Sequence, residues 1–297
     1  MGLLKTILKA FGAILLLLIL TIIGVVMWAS TNVSSRMQRK FNFPPLNITE
    51  NVKTADVELG RKIVRIRNGC TDCHGADLGG KTFISDPAMG TFSGANITPQ
   101  GIGSKSDEDV ARAIYYGVRS DGSSLTFMPS QEFHQLALED VAAVVAYLRT
   151  VPAVMRPNTA IEIGPIAKLL GASGKMPLLI PAELIPANTP PTTKPPEGNT
   201  PGFGKYLVDS GCTGCHGRDL KGGPIPGGNP SWPPAANLVA TSHSTWKEAD
   251  FINTIRTGKT PDGRMLRDPM RGVAENARQG GDDDLKAIWS YLVTLKD

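Results

Sequence analysis

The chain has 297 residues, of which 41% are hydrophobic, 6% aromatic and 20% charged, with a formal net charge of +4 at pH 7. That length allows two domains with additional segments, and 32 glycines and 23 prolines point to loop-rich ones. The positive charge does not describe a nucleic-acid surface: Lys5, Lys9, Arg36, Arg39 and Lys40 lie in the first forty positions, which hold no acid, and the remainder is close to neutral.

These cations flank residues 10–29, twenty consecutive positions without a charge. An α-helix needs about that many to cross the hydrocarbon core, and Trp28 stands where an interfacial aromatic would sit. A cleaved signal peptide has a shorter apolar core and a small-residue cleavage site. Ala29-Ser30 matches such a site weakly, so residues 1–40 are expected to form a retained single-pass anchor with its flanks.

All four cysteines fall in two C-x-x-C-H stretches, Cys70-Thr71-Asp72-Cys73-His74 and Cys212-Thr213-Gly214-Cys215-His216. This is the attachment pattern of c-type haem. Two thiols three residues apart can bond the two vinyl groups of one porphyrin, and the following histidine then lies under the iron. Cys70, Cys73, Cys212 and Cys215 are thus expected to hold two covalent haem c groups, with His74 and His216 as proximal ligands. A zinc site would need a second ligand pair, and no other cysteine exists. A thioredoxin-like pair would sit in a βαβ pattern, which the sequence lacks. Covalent haem attachment occurs on the outer side of the bacterial inner membrane, so the N-terminus is expected in the cytoplasm and the haem-bearing residues in the periplasm.

The chain beyond residue 50 repeats itself. Cys70 aligns with Cys212, Asn96 with Asn237, Val110 and Ile114 with Phe251 and Ile255, Asp121-Gly122 with Asp262-Gly263, and Tyr147-Leu148 with Tyr291-Leu292, all at offsets of 141 to 144. The expected organisation is an anchor at 1–40, a first domain at 50–152, a linker at 153–200 and a second domain at 201–297. Within each domain the pattern reads as helices joined by loops, with no convincing strand. A first helix covers residues 55–68 or 203–209, and a middle helix residues 107–116 or 247–257, with Ser106 or Asp107 as N-cap. The last helix is marked by Val141, Val144, Val145, Leu148 and by Leu285, Ile288, Trp289, Leu292 at i, i+3, i+4, i+7. The fold class is all-α.

Nine of the 23 prolines lie in the linker, whose end reads as an extended, semi-rigid spacer. Residues 160–186 are too apolar for a solvated spacer, and are expected to pack across a haem domain or on a partner subunit.

A methionine thioether in the second axial position raises the potential and suits an electron carrier, whereas an open position suits gas or peroxide chemistry. Met128, in Phe127-Met128-Pro129, and Met270, in Asp268-Pro269-Met270, share a repeat position and are the expected distal ligands. Met265 rivals Met270, and Met89 is the weaker candidate of the first half. His134 and His243 read as surface or propionate-region residues.

The stretches Gly-Ala-Asn-Ile-Thr-Pro (94–99), Gly-Ile-Gly (101–103), Ser-Asp-Glu-Asp (106–109), Gly-Val-Arg-Ser-Asp-Gly (117–122), Met-Pro (128–129) and Tyr-Leu-Arg-Thr-Val-Pro (147–152) resemble the cytochrome c subunits of bacterial membrane-bound alcohol, aldehyde and gluconate dehydrogenases. The second half keeps Asn237, Pro-Asp-Gly-Arg (261–264) and Tyr-Leu (291–292). The resemblance implies tandem class I cytochrome c domains, whose first and last helices cross at the haem edge. It also implies electron transfer from a dehydrogenase toward ubiquinone. Subunits of that family carry three c haems; this sequence holds two motifs. The expected function is that of a membrane-anchored dihaem cytochrome c in a respiratory chain, working between a quinol-oxidising complex or dehydrogenase and a terminal acceptor, as a carrier or complex subunit rather than a stand-alone enzyme. The alternative is a dihaem peroxidase or sulfur-compound oxidoreductase with one open haem site.

Overall fold

The computed structural model describes residues 2–186, 188–229, 231–239 and 245–296. Helix α1 (Gly2–Gln38) is a single rod in which only Ala29 and Val33 are buried. It is long and apolar enough to cross a membrane. Its exposed leucines and isoleucines, from Leu3 to Ile23, need a non-aqueous surrounding.

Helices α2 (Thr49–Thr54) and α3 (Val57–Lys62) follow, and one π turn (Ile63–Arg67) extends α3. Asp56 caps α3 by accepting from the backbone of Glu58 and Leu59. The first C-x-x-C-H forms α4 (Cys70–His74). The domain continues with α5 (Pro99–Ile102), α6 (Asp107–Tyr116), α7 (Ser130–Phe133) and α8 (Leu138–Thr150). Ser106 supplies the N-cap of α6 in a capping box with Asp109. The second domain holds α10 (Pro201–Gly211), α11 (Thr213–His216), α12 (Glu248–Thr257), α13 (Met270–Ala277) and α14 (Asp283–Leu292).

In each domain the first helix packs across the last, α3 on α8 and α10 on α14. Glycine is required at both crossings. A β-carbon on Gly60 would overlap the carbonyl oxygen of Ala143, and one on Gly204 that of Ala287. Tyr147 and Tyr291, equivalent residues of the last helices, complete the contacts.

One expectation fails in the first domain. Strands β1 (Lys81–Asp86) and β2 (Gly90–Gly94) form an antiparallel hairpin, and β3 (Glu162–Ile163) extends it in the order β1-β2-β3. The turn is set by Asp86, whose side chain accepts from the backbone of Ala88 and Met89 at 2.9 and 2.7 Å. Each strand is too short for its alternation to register as a pattern, and the third arrives from far along the chain.

Residues 160–186 pack within the chain. Beyond β3 they form α9 (Pro165–Ala172) and two 3-10 turns. Met176, Leu179 and Ile180 are buried with Val33 of α1 and Phe92 of β2. Side chains of this size contribute about 1.5–3 kcal/mol each when fully buried, so the segment is structural. Helix α9 lies against α1, and Glu183 accepts from Arg36 at 3.1 Å and pairs with Arg39. Lys194 in the proline-rich stretch reaches back to Asp140 at 2.8 Å.

The two domains meet about a pseudo-twofold axis. Lys62 donates to Asp284 at 2.9 Å, and Tyr206 donates to Asp140 at 2.7 Å. Positions 62 and 206 are equivalent in the repeat, as are 140 and 284. The Asn68 amide donates to the backbone carbonyl of Ser210, its own repeat equivalent 142 residues on, at 2.7 Å. Helix α7 packs on α10, and its counterpart α13 packs on the π turn after α3. Reciprocal contacts with one self-paired position are the signature of an isologous interface. Here both partners belong to one chain.

Candidate haem-binding sites

One helical turn places the cysteines of each motif three residues apart on the same side of the backbone, with the histidine next in line. Gly75 (φ 82°) and Gly217 (φ 78°) then turn the chain away in a conformation that favours glycine. The ring orientation is fixed identically in both domains. Nδ1 of His74 lies 2.7 Å from the Ala95 carbonyl, and Nδ1 of His216 lies 2.8 Å from that of Ala236. A carbonyl can only accept, so Nδ1 carries the proton and Nε2 is left as the lone-pair nitrogen a metal requires. Burial lowers the pKa of both rings, against the opposing effect of these carbonyls, and favours the neutral form.

The asparagine following each of those alanines, the Asn96/Asn237 landmark of the repeat, shapes the loop that brings the carbonyl to the histidine. Asn96 accepts from the Thr98 backbone and hydroxyl at 3.0 and 2.7 Å, and donates to the Val154 carbonyl at 2.7 Å. Asn237 accepts from the Val239 backbone at 2.8 Å. The sequence marks these residues as repeated without revealing that they support the proximal ligand.

None of the four cysteines forms a disulfide. Before attachment of a haem, burial pushes the thiols of Cys70 and Cys212 up to about 12 and those of Cys73 and Cys215 up to about 11. Among the described residues no cluster of three or more His, Cys, Asp or Glu could hold a metal ion.

The first motif opens on a cavity of 460 Å³, lined by Cys70, Cys73, His74, Val110, Ile114 and Met128 among others. This is within the usual range for a small-molecule or cofactor site. Thiols, a lone-pair nitrogen and a thioether in one apolar cavity form a donor set that fits haem c. Met128 owes its place there to the linker. Phe127, immediately before it, has φ 60°, an uncommon conformation for a bulky residue. Its N–H donates to the Leu178 carbonyl at 2.8 Å, and its ring packs against Phe83 and Phe92 at 5.5 and 5.2 Å between centroids. The hairpin and the segment around 178 together aim the methionine, a dependence that the sequence does not display. Met89 packs with this second cluster rather than lining the cavity.

In the second domain the loop after α12 follows the same course. Leu266 donates to Gly258 as Leu125 does to Gly117, each at 2.7 Å. Met265 bridges to Lys259 as Ser124 bridges to Val118, and it is 58% exposed. Met270 is half-buried as the first residue of α13. His134 corrects the surface assignment. It is only 2% exposed, its ring lies 4.3 Å from that of Tyr115, and it is not part of the cavity lining. Its two ring nitrogens have no hydrogen-bond partner among the described residues. His243 lies outside the described residues.

Two helical domains, each crossed by its terminal helices and each bearing a C-x-x-C-H turn under an oriented imidazole, define a protein of covalently held haem. The sequence profile of cytochrome c matches residues 57–152 and 203–296, and the chain belongs to the cytochrome c family. Its cofactors are two covalently bound haem c groups. It is 29% identical over 277 residues to the cytochrome c subunit of alcohol dehydrogenase (quinone) from Komagataeibacter europaeus, covering 83% of this chain and 57% of that one. With the fructose dehydrogenase cytochrome subunit of Gluconobacter japonicus, identity is 28% over 248 residues, covering 75% and 49%. A dihaem cytochrome c-type protein of Cereibacter sphaeroides is 26% identical over 268 residues, covering 80% of this chain and 86% of that one. This chain thus spans only half to three-fifths of the alcohol and fructose dehydrogenase subunits it matches.

Proposed function

We propose that Cys70 and Cys73 attach one haem, Cys212 and Cys215 the other, that His74 and His216 are the proximal iron ligands, and that Met128 and Met270 are the distal ones. The observation that carries this reading is the cavity shared by the first motif and Met128. The bound haem supplies the one-electron Fe(III)/Fe(II) couple; the protein supplies ligands, burial and orientation. His74 and His216 present Nε2 because their other nitrogens are held by backbone carbonyls. The exposure of Met265 leaves Met270 as the better second thioether.

A histidine and a methionine would hold each haem iron, and such a pair would suit electron transfer rather than chemistry on a substrate. The protein acts as a membrane-anchored cytochrome subunit of a bacterial respiratory chain, with α1 in the inner membrane and both haem domains in the periplasm. It works between a dehydrogenase or quinol-oxidising complex and a terminal acceptor. Relatives named as cytochrome subunits of alcohol and fructose dehydrogenases support a dehydrogenase as the electron donor.

The test is ligation. The reduced protein should bind carbon monoxide poorly at both haems, and Met128→Ala should open one of them. Met270→Ala should remove one sulfur-to-iron charge-transfer band while Met265→Ala leaves both. Full carbon monoxide binding at one haem of the unaltered protein would replace the carrier by an enzyme with an open site.

A further inference from the structure

The two C-x-x-C-H turns differ at one inner position, Asp72 in the first and Gly214 in the second. Asp72 is exposed and receives a hydrogen bond from the Asn276 amide of α13 at 3.1 Å. Gly214 has no side chain, yet the space beside it is filled. A β-carbon on Gly214 would overlap the carboxylate of Glu132, which comes from α7 of the other domain. The Glu132 carboxylate lies directly against the Gly214 backbone. The pseudo-twofold interface therefore presses one helix of each domain onto the haem motif of the other, α13 on the first and α7 on the second.

We infer that Glu132 supplies to the second haem site, from the first domain, the carboxylate that Asp72 supplies to the first site from within its own motif, and that it is a positioning and tuning residue for the second haem. This inference rests on the haem assignment above.

The electrostatic surroundings agree. In the first motif, Asp72 is exposed to solvent and shared with the Asn276 amide. In the second motif, the Glu132 carboxylate stands against the middle of the turn, between Cys212 and Cys215 in sequence. Burial pushes the Glu132 carboxyl up to about 7, while the Gly214 N–H favours its charged form. A half-buried carboxylate is screened less than an exposed one. It stabilises Fe(III) over Fe(II) by holding negative charge near the site where an electron would arrive. Glu132 should therefore lower the potential of the second haem more than Asp72 lowers that of the first.

The experiment is a spectroelectrochemical titration of the full chain, with both haems attached, in detergent at pH 8.5, where Glu132 is charged. Intact mass establishes first that the unaltered chain carries two haems. A chain carrying fewer would refute the attachment assignment, independently of Glu132. Glu132→Gln should shift one of the two redox components upward by three- to tenfold in its Fe(III)/Fe(II) equilibrium, where tenfold is 59 mV for one electron. Asp72→Asn should shift the other component, and by less. Glu139→Gln, at an exposed acid on α8, should shift neither. The double variant Glu132→Ala/Gly214→Asp moves the carboxylate into the motif and should return the first-affected component toward its original position, a rescue that loss of packing alone would not give. The inference is overturned if Glu132→Gln moves neither component or both equally, or if the double variant behaves like Glu132→Ala.

Discussion

Replacing Asp284 by alanine tests whether the pseudo-twofold interface is a firm structural contact. Asp284 is paired with Lys62 at 2.9 Å and with Arg67 at 2.8 Å, and its side chain is 12% exposed. Arg67 is 7% exposed and lies over the ring of Phe203, 5.5 Å from its centroid. Removing one partner of a buried pair costs about 3–5 kcal/mol, because the remaining charge is stranded. Here the loss is smaller. Lys62 is 29% exposed and can turn to water, and Glu197 remains 4.0 Å from Arg67. An expected loss of about 2–3 kcal/mol follows. The assay is guanidinium unfolding of the dihaem protein, followed both by haem absorbance and by protease cleavage in the proline-rich stretch at 190–196. The variant should expose that stretch before either domain unfolds. The pH dependence supplies an independent check. Burial raises the Asp284 pKa, but Arg67 and Lys62 outweigh it and leave the value depressed. A depressed carboxyl contributes stability above its unfolded pKa of about 3.9 and loses it as pH falls through the folded value. The difference between variant and parent should therefore be full at pH 6 and shrink below about pH 4. A loss under about 1 kcal/mol at pH 6, the size of an exposed pair, would refute the claim that the two domains are firmly joined here.

Three further outcomes are expected. Gly60→Ala and Gly204→Ala each force a methyl group into a backbone carbonyl across a helix crossing, and should each destabilise their own domain by roughly 3 kcal/mol or more in thermal melts. His134→Phe replaces a buried ring with two unpaired nitrogens by an apolar ring among Tyr115 and Tyr116; stability should hold or rise by about 1 kcal/mol, and the haem spectrum should not change. Leu179→Ala, in the segment that steadies the methionine loop, should cost about 2–5 kcal/mol and should also weaken the charge-transfer band assigned to Met128.

The sequence displayed what is local. The C-x-x-C-H turns are short covalent requirements, the last helices announce themselves through apolar spacing, and Ser106 caps α6 as its residue type suggests. Contacts that join distant residues were hidden. Lys62 and Tyr206 occupy one repeat position but share no chemistry, so their common task of reaching Asp284 and Asp140 cannot be read from either alone. Glu132 looks like an ordinary solvated acid until Gly214 is placed beside it. The hairpin was missed because a third strand and a packed aromatic cluster, rather than its own alternation, hold it in place. A lone histidine such as His134 carries no signal of burial in the sequence; the two tyrosines that cover it lie on α6.

The grip of α9 and Glu183 on the end of α1 restricts how the first domain can move. At 1.5 Å per residue, the 37 residues of α1 span about 56 Å, well beyond a hydrocarbon core of about 30 Å. With α1 in a bilayer, part of the excess stands outside as a stem clamped to α9 and to the 3-10 turn bearing Glu183. A domain held in this way does not tumble on a string. It keeps one height above the lipid and is left mainly with rotation about the stem. Orientational search is what usually slows specific docking between proteins. For a partner diffusing in the same membrane, that search shrinks toward a single angle.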